Sequence, residues 1–282
     1  MMSSDRLPPA RTIAQARFAQ LVRQPEASLD LTQAALCIAQ IAQPDLDITT
    51  CQNQLQTWGQ ILQAHRPDPP YPLKVIQTLN HFLYEEWGFH GNQDDYYDPR
   101  NSFLNAVIER RTGIPIALAV LYLDLARRLD FPMVGVGMPG HFLVRPDFED
   151  AEIFVDVFNQ GAILFPQDCL DLLSKIYQQP VPFHPQYFVP VSSKSILARL
   201  LTNLKHIYLQ QGELTEMLWT VDGILALFPE HAPERKVRGV LHFELEHWAA
   251  AQADLQSYLD AQPQPEEAAF IQTLLAQIAR RL

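Results

Sequence analysis

The chain has 282 residues, of which 48% are hydrophobic and 19% are charged. This length favours two domains over one, and the composition is that of a globular protein rather than a disordered chain. The formal net charge of −11 argues against nucleic-acid binding, which requires a basic surface that neutralises phosphates.

The cysteine content argues for a reducing compartment. The three cysteines are too few for a disulfide framework and form no C-x-x-C pair; they are Cys37, Cys51 and Cys169. The N-terminal sequence MMSSDRLPPARTIAQARFAQ lacks the apolar segment of a secretory signal. No run of about 18 apolar residues predicts a membrane span. We therefore expect a cytoplasmic protein that does not insert into a membrane.

The first half of the chain is predicted to be helical. Apolar residues recur at helical spacing over residues 13–23, 29–42, 50–64 and 73–86. The proline-rich segment 66–72 ends the third of these helices, because proline removes a backbone donor. After a polar loop, a further helix is predicted over residues 103–111. The next helix, over residues 116–129, is apolar on nearly all sides, as is typical of a helix at the centre of a core.

After Asp130 the apolar period changes to that of β-strands. Four short strands are predicted, over residues 133–137, 141–145, 152–158 and 162–165. A turn rich in carboxylates is predicted at residues 146–151. Short adjacent strands joined by tight turns form antiparallel sheets, so the sequence predicts a small sheet packed on the preceding helix, in an α+β arrangement.

The last third of the chain is predicted to consist of helical repeats. Pro229 and Pro263 each end an apolar helix and lie 34 residues apart, which matches the tetratricopeptide period. Small residues are needed where the two helices of a repeat cross, and Gly239 and Ala251 supply them in the second copy, whereas the first copy departs from the pattern. We predict about two degenerate repeats and a closing helix over residues 266–282.

These elements define three predicted parts of the chain. Residues 1–180 form an α+β domain whose core lies at about residues 73–166. Residues 181–190 form an extended proline-rich connection. Residues 191–282 form the all-α helical-repeat domain.

His141 and Asp156 are the strongest candidates for site chemistry. If the second and third strands pair, the two side chains are expected to meet. A carboxylate that accepts a hydrogen bond from one imidazole nitrogen leaves the other nitrogen as a base. A nucleophile is then expected at the N-terminus of the buried helix, where the dipole lowers a thiol pKa. Residues 113–119 contain neither cysteine nor serine, and the nearest hydroxyl is that of Thr112.

Three motifs in this order resemble the SirB family of bacterial proteins; they are NSFLN, RTGIPI and PGHF, within residues 101–142. The resemblance covers about residues 73–165 and, in outline, the repeats. It implies a papain-like, transglutaminase-like domain with a Cys-His-Asp triad, followed by tetratricopeptide repeats. It places the histidine at His141, the aspartate at Asp156 and the thiol at or next to Pro115. The nucleophile of the family pattern is therefore missing.

The roles of the other candidates remain open at this stage. Cys51 and Cys169 lie out of order for the triad and are typical of small core residues, although a triad is defined by geometry. The pair of His141 and Asp156 is either a structural remnant or a ligand-binding feature. Asn101 and Asn105 are binding candidates beside the same helix end; alternatively, Asp-Pro-Arg-Asn at residues 98–101 is a turn with no further role.

Two hypotheses for function follow. In the first, the chain is a non-catalytic protein that acts in protein–protein interaction or regulation, with a protein or peptide partner bound by the repeats. In the second, it is a hydrolase or acyltransferase of the amidase or peptidase kind, with His141 as a base on water or on an unusual nucleophile. No cofactor is expected, because the eleven glycines form no phosphate-binding loop. His81 and Glu85 share a helix face without the spacing of a metal site.

Overall fold

The computed structural model describes residues 9–148, 152–261 and 265–282. Within these ranges the chain divides into two compact units. We call the first the α+β unit; it contains the described part of residues 1–17 together with residues 25–200. The second, the helical unit, contains residues 18–24 and 201–282, again as far as they are described.

The helices of the α+β unit follow the predicted pattern closely, except that the last of them was not predicted. Their bounds are α1 (Pro9–Val22), α2 (Leu31–Ala42), α3 (Ile48–Ala64), α4 (Pro72–Asn80), α5 (Leu104–Arg110), α6 (Pro115–Arg128) and α7 (Pro166–Tyr177). The last residues of α1 belong to the helical unit. Asp30 and Asp47 begin α2 and α3 by accepting hydrogen bonds from backbone N–H groups of the first turn. The helix predicted over residues 73–86 continues beyond Asn80 in a π-helical segment, His81–Glu86.

Helix α6 lies at the centre of the α+β unit, as its apolar sequence predicted. It packs against α2, α3 and α5 and against two strands of the sheet. Its one fully buried charged side chain among the described residues is Asp124, which forms ion pairs with Arg127 and Arg128 at 2.8 and 2.6 Å. A buried carboxylate requires such partners, because an unpaired charge in the core is costly.

A short parallel pair joins β1 (His90–Gly91) to β2 (Thr112–Gly113). Five further strands form an antiparallel sheet; they are β3 (Met133–Val136), β4 (Leu143–Pro146), β5 (Phe154–Asp156), β6 (Ala162–Leu164) and β7 (Pro190–Val191). Their order in the sheet is β6-β5-β4-β3-β7. Helix α7 packs on the sheet through Cys169 and Leu173, which share a core cluster with residues of β3, β4 and β5.

Two further segments differ from the prediction, besides the unpredicted α7 and the pair of β1 and β2. The strand expected at residues 141–145 begins only at Leu143, because Gly140 with a φ of +73° turns the chain just before it. The proline-rich segment contains a 3-10 turn at Pro185–Phe188 and ends as β7, an edge strand paired with β3. Its last residue, Pro190, is therefore part of the sheet. The predicted turn at residues 146–151 lies partly outside the described residues.

The helical unit consists of paired helices, as predicted. They are α8 (Ser193–Gln211), α9 (Leu214–Leu227), α10 (Ala232–Glu244), α11 (Trp248–Asp260) and α12 (Pro265–Ile278). The first turns of α8 belong to the α+β unit. At Gly239 an added Cβ would lie 2.7 Å from Leu255, so the crossing of α10 and α11 requires glycine. Pro263, one end of the predicted 34-residue spacing, lies outside the described residues.

Candidate functional site

The fold brings His141 and Asp156 together. His141 follows a tight turn in which its N–H donates to the carbonyl of Met138 at 3.2 Å. Asp156 is the last residue of β5, the neighbour of β4. The imidazole Nε2 lies 2.9 Å from Asp156 Oδ2, and the two side chains are 10% and 3% exposed. Although this distance is short, the Nε2–H does not point along it and has no other partner among the described residues. The contact is therefore chiefly electrostatic rather than a well-aligned hydrogen bond.

The Asp156 carboxylate is also held by the turn that follows it. Oδ1 accepts hydrogen bonds from the N–H groups of Phe158 and Asn159 at 3.1 and 3.2 Å. Oδ2 accepts one from Asn159 Nδ2 at 2.7 Å. Burial alone would raise the pKa of Asp156, but the contacts with His141 and Asn159 outweigh it and hold the pKa below its ordinary value. Asp156 is therefore a buried anion that faces one imidazole nitrogen.

Arg199 of α8 supports the turn that carries His141, and sequence reasoning missed it. Its Nη2 donates to the carbonyl of His141 at 3.1 Å, and its guanidinium lies 5.5 Å from the centre of the Phe142 ring. Burial lowers the pKa of this guanidinium. A single arginine in a helix that follows a proline-rich segment gives no sequence signal for this contact, which spans 58 residues.

The position expected for a nucleophile holds an apolar helix start. Helix α6 begins at Pro115, and its N-cap residue Ile114 makes no side-chain hydrogen bond. Pro115, Ile116 and Ala117 are all buried. The hydroxyl of Thr112 is buried and has no hydrogen-bond partner among the described residues. The head of α6 therefore presents no thiol or serine hydroxyl.

The three cysteines have the properties of core residues. All are free and buried, and they lie in α2, α3 and α7. Burial raises the pKa of Cys37 and of Cys51. Burial, with the negative charges of Asp168 and Asp156, raises the pKa of Cys169 to about 12. A thiol that serves as a nucleophile needs the opposite shift, towards a lower pKa.

Asn101 holds the polar loop against the start of α6. Its Nδ2 donates to the carbonyls of Asp95 and Tyr96 at 2.6 and 3.3 Å, and its own carbonyl accepts from the N–H of Ile114 at 3.2 Å. The Nδ2 of Asn105 donates to Gln43 Oε1 at 3.1 Å, while its buried Oδ1 has no partner among the described residues. These contacts are those of a structural clamp, and a binding role for the two residues stays a prediction.

Four of the surface cavities have linings that do not include the pair. Neither His141 nor Asp156 is among the described residues that line them. His81 Nδ1 lies 2.8 Å from Glu85 on an exposed helix surface. Within the described ranges, no three histidine, cysteine or acidic side chains are arranged to hold a metal ion, and no helix is long and apolar enough to cross a bilayer.

Comparison with known proteins places the chain in a family. The profile of the transglutaminase-like superfamily matches residues 49–202, and that of the tetratricopeptide repeat matches residues 204–276. A UPF0162 protein of Xylella fastidiosa is 36% identical over 240 residues, which cover 84% of this chain and 85% of that protein. The chain belongs to the UPF0162 family. A UPF0162 protein of Pseudomonas aeruginosa is 32% identical over 194 residues, or 69% of this chain and 71% of the relative.

These matches confirm the predicted architecture of this UPF0162 chain, a transglutaminase-like α+β domain followed by tetratricopeptide repeats. The resemblance to the SirB family is thus confirmed in domain organisation, whereas the relatives carry the UPF0162 name. The human F-box only protein 21 is 31% identical over 186 residues, which cover 62% of this chain and 29% of that protein. No solved structure gives a significant match.

Proposed function

We propose that this UPF0162 chain is not a catalyst and acts by binding a protein or peptide through its helical repeats. The observation that carries this proposal is the start of α6, where Pro115 stands at the position expected for the nucleophile. Acyl transfer of the transglutaminase kind proceeds through a thiolate. Without it, the imidazole of His141 has no thiol to deprotonate.

The surroundings of the pair support the same conclusion. The His141 side chain is nine-tenths buried, which leaves little of the imidazole open to a substrate carbonyl. The three cysteines, which are the other sources of a thiolate, all have raised pKa values. The pair is therefore best interpreted as a structural contact between β5 and the turn before β4.

The helical unit supplies the binding surface in this proposal. Tetratricopeptide repeats generally mediate protein–protein interactions, and here they carry an apolar groove of about 600 Å³. Leu209 and Phe270 line this groove with 55% and 53% of their surfaces exposed. Large apolar side chains gathered in an exposed groove mark interaction sites. A cytoplasmic location is part of the proposal and is supported by the three free cysteines.

An enzymatic function is the second candidate, because the imidazole and carboxylate are in contact. A base that activates water without a covalent intermediate typically accelerates a reaction by about 10²–10⁴-fold. Asp156, an anion 2.9 Å from Nε2, is close enough to stabilise the positive charge that the imidazole gains when it accepts a proton. This alternative requires that substrate reach the free ring nitrogen, Nδ1.

Activity measurements separate the two candidates. We would measure incorporation of a fluorescent primary amine into casein and release of ammonia from glutaminyl peptides, for the natural chain and for a His141→Ala, Asp156→Ala double variant. We expect no activity in the natural chain above that of the double variant. Turnover that the double variant lacks, while circular dichroism shows it folded, would establish the enzymatic alternative.

Capture experiments test the binding function. Immobilised natural chain, the double variant and Phe270→Ala would be incubated with extract of the source cells, and bound proteins identified by mass spectrometry. We expect a protein that the natural chain and the double variant both retain and that Phe270→Ala does not. Retention that depends on His141 and Asp156 instead of Phe270 would contradict the proposal.

A further inference from the structure

The groove of the helical unit, which we call the repeat groove, has an apolar floor built from four helices. Leu209 of α8, Met217 of α9, Val240 of α10 and Phe270 of α12 contribute to it. The charged side chains on one rim, Lys236 and Glu267, lie 2.6 Å apart and neutralise each other. This rim therefore offers an apolar ligand little net charge.

The other rim is acidic. Glu244, which lines the repeat groove, is the last residue of α10, and Glu246 follows it at a φ of +59°. Both side chains are exposed, and neither forms an ion pair with a described residue. Carboxylates are unfavourable at a helix C-terminus, because the helix dipole places partial negative charge there. Local departures of this kind are expected at functional positions.

A second cavity of about 230 Å³ shares Glu244 with the groove and is also lined by Glu246, Trp248 and Arg281. The Arg281 guanidinium lies over the Trp248 ring, 5.9 Å from its centre. The apolar groove is therefore adjacent to a pocket whose two carboxylates form no ion pair with a described residue.

Two other cations of the helical unit are already paired. Lys205 bonds to Glu234, and Arg238 bonds to both Asp222 and Asp254. These pairs lie within the unit, and none of them includes Glu244 or Glu246. A ligand with positive charge beside an apolar face would complement both features of the surface.

From this arrangement we propose that the repeat groove binds one face of a basic amphipathic helix. Its apolar side chains occupy the floor between Leu209 and Phe270, and lysine or arginine one or two turns further on pairs with Glu244 and Glu246. Amphipathic helices commonly bind in this way, with anchors spaced at i, i+3, i+4 and i+7. The inference rests on the proposed binding function and specifies the chemistry of the partner.

Two fluorescein-labelled peptides of about four helical turns test the proposal. One carries leucine and lysine at amphipathic spacing, and the other carries leucine and glutamate in the same order. Fluorescence anisotropy with the full chain at physiological ionic strength gives both affinities. We expect the basic peptide to bind about tenfold more tightly than the acidic one.

Variants locate the binding surface. Glu244→Lys with Glu246→Lys turns two attractions into two repulsions and is expected to weaken the basic peptide about tenfold. The matched control, Glu230→Lys with Asp260→Lys, makes the same change in net charge at exposed positions elsewhere in the unit and is expected to alter affinity less than about threefold. Phe270→Ala is expected to weaken both peptides by removing an apolar anchor.

The outcomes separate this inference from the proposed function. If the control weakens the basic peptide as much as the rim variant does, the binding is non-specific and the inference is overturned. If the acidic peptide binds as tightly as the basic one and Phe270→Ala weakens both, the groove remains a binding surface. Its preference for a basic helix is then refuted. Self-association of the natural chain that Phe270→Ala abolishes, measured by analytical ultracentrifugation, would make a second copy the occupant and also overturn the inference.

Discussion

Proline at the first position of a helix is favourable for the helix itself. Its fixed φ suits the first turn, and the N–H that it lacks would have no intrahelical partner there. Pro115 therefore stabilises the start of α6 while it removes any side chain able to attack a carbonyl.

Replacing this proline tests whether the rest of the proposed site is intact. Pro115→Cys places a thiol at the positive end of the α6 dipole, where its pKa is expected to fall. We predict that iodoacetamide alkylates this thiol faster than Ala119→Cys, a buried control further along α6, and that His141→Ala removes much of the advantage. The labelling rates are measured by mass spectrometry. Equal rates for the two cysteine variants would contradict the predicted placement of the nucleophile.

The native thiols give a low background for that measurement. A rise in the pKa of Cys169 from 9.0 to about 12 lowers its thiolate fraction near neutral pH about 10³-fold. The pKa values of Cys37 and Cys51 are also raised by burial.

Asp156 makes stability depend on pH. Its pKa in the folded state lies below the ordinary value, because the contacts with His141 and Asn159 outweigh the effect of burial. A depressed carboxyl pKa contributes stability above the unfolded pKa, about 3.9, and this contribution is lost as pH falls through the folded pKa.

We therefore predict that Asp156→Asn is less stable than the natural chain at pH 7 and that the difference shrinks below about pH 4. Thermal unfolding followed by circular dichroism across this range measures it. The exposed Asp45→Asn control is expected to differ from the natural chain by less than about 0.5 kcal/mol. A stability difference that does not change with pH would show that Asp156 acts through shape rather than charge.

At the scale of elements, Asn80 joins three parts of the α+β unit. Its Oδ1 accepts a hydrogen bond from the Tyr122 hydroxyl of α6 at 3.0 Å, and its Nδ2 donates to the carbonyl of Gly161 at 2.7 Å. Gly161 has a φ of +71°, and an added Cβ there would lie 2.3 Å from Asn80 Oδ1. The amide thus ties the end of α4 to the central helix and to the turn between β5 and β6.

Asn80→Ala is predicted to lower the free energy of unfolding by about 1–3 kcal/mol, because it leaves buried polar partners unsatisfied. Urea denaturation measures the change. Gln77→Ala, an exposed substitution in the same helix, is the control and is expected to cost less than about 0.5 kcal/mol. Equal effects of the two substitutions would show that the amide contributes no more than a surface side chain.

The sequence predicts some elements well because their signals are periodic. The long apolar helices, the central position of α6 and the antiparallel sheet all follow from spacing, and the contact of His141 with Asp156 follows from strand pairing. The two-residue strand β7 escapes prediction because it is too short for any period and begins with Pro190. Arg199 escapes as well, since its partners are backbone carbonyls about 60 residues away.

At the scale of the whole molecule, Arg238 is a central contact of the helical unit. Its guanidinium on α10 binds both carboxylate oxygens of Asp254 on α11, at 2.6 and 2.8 Å, and Asp222 on α9 at 3.1 Å. Burial raises the pKa of Asp222, although the charge of Arg238 opposes this. One cation therefore compensates two carboxylates across three helices.

Arg238→Met is predicted to cost about 1–3 kcal/mol, because it leaves these partly buried carboxylates without a counter-charge. Hydrogen exchange read by mass spectrometry is expected to rise across α9, α10 and α11 and to change little in α6 and the sheet, which have their own core. Arg280→Met, at an exposed site in the last turn of the chain, is the control. Exchange that rises equally throughout both units would contradict this local role.

The pairing of β7 with β3 has a practical consequence for dividing the chain. A fragment that stops within the proline-rich segment would lose β7 and leave the backbone of Gly135 and Val136 as an open edge. Open edges pair with other chains and promote aggregation. An independently expressed α+β fragment must therefore extend through β7 and include Arg199. The end of such a fragment should be chosen from the backbone pairing of the sheet and not from the proline content of the sequence.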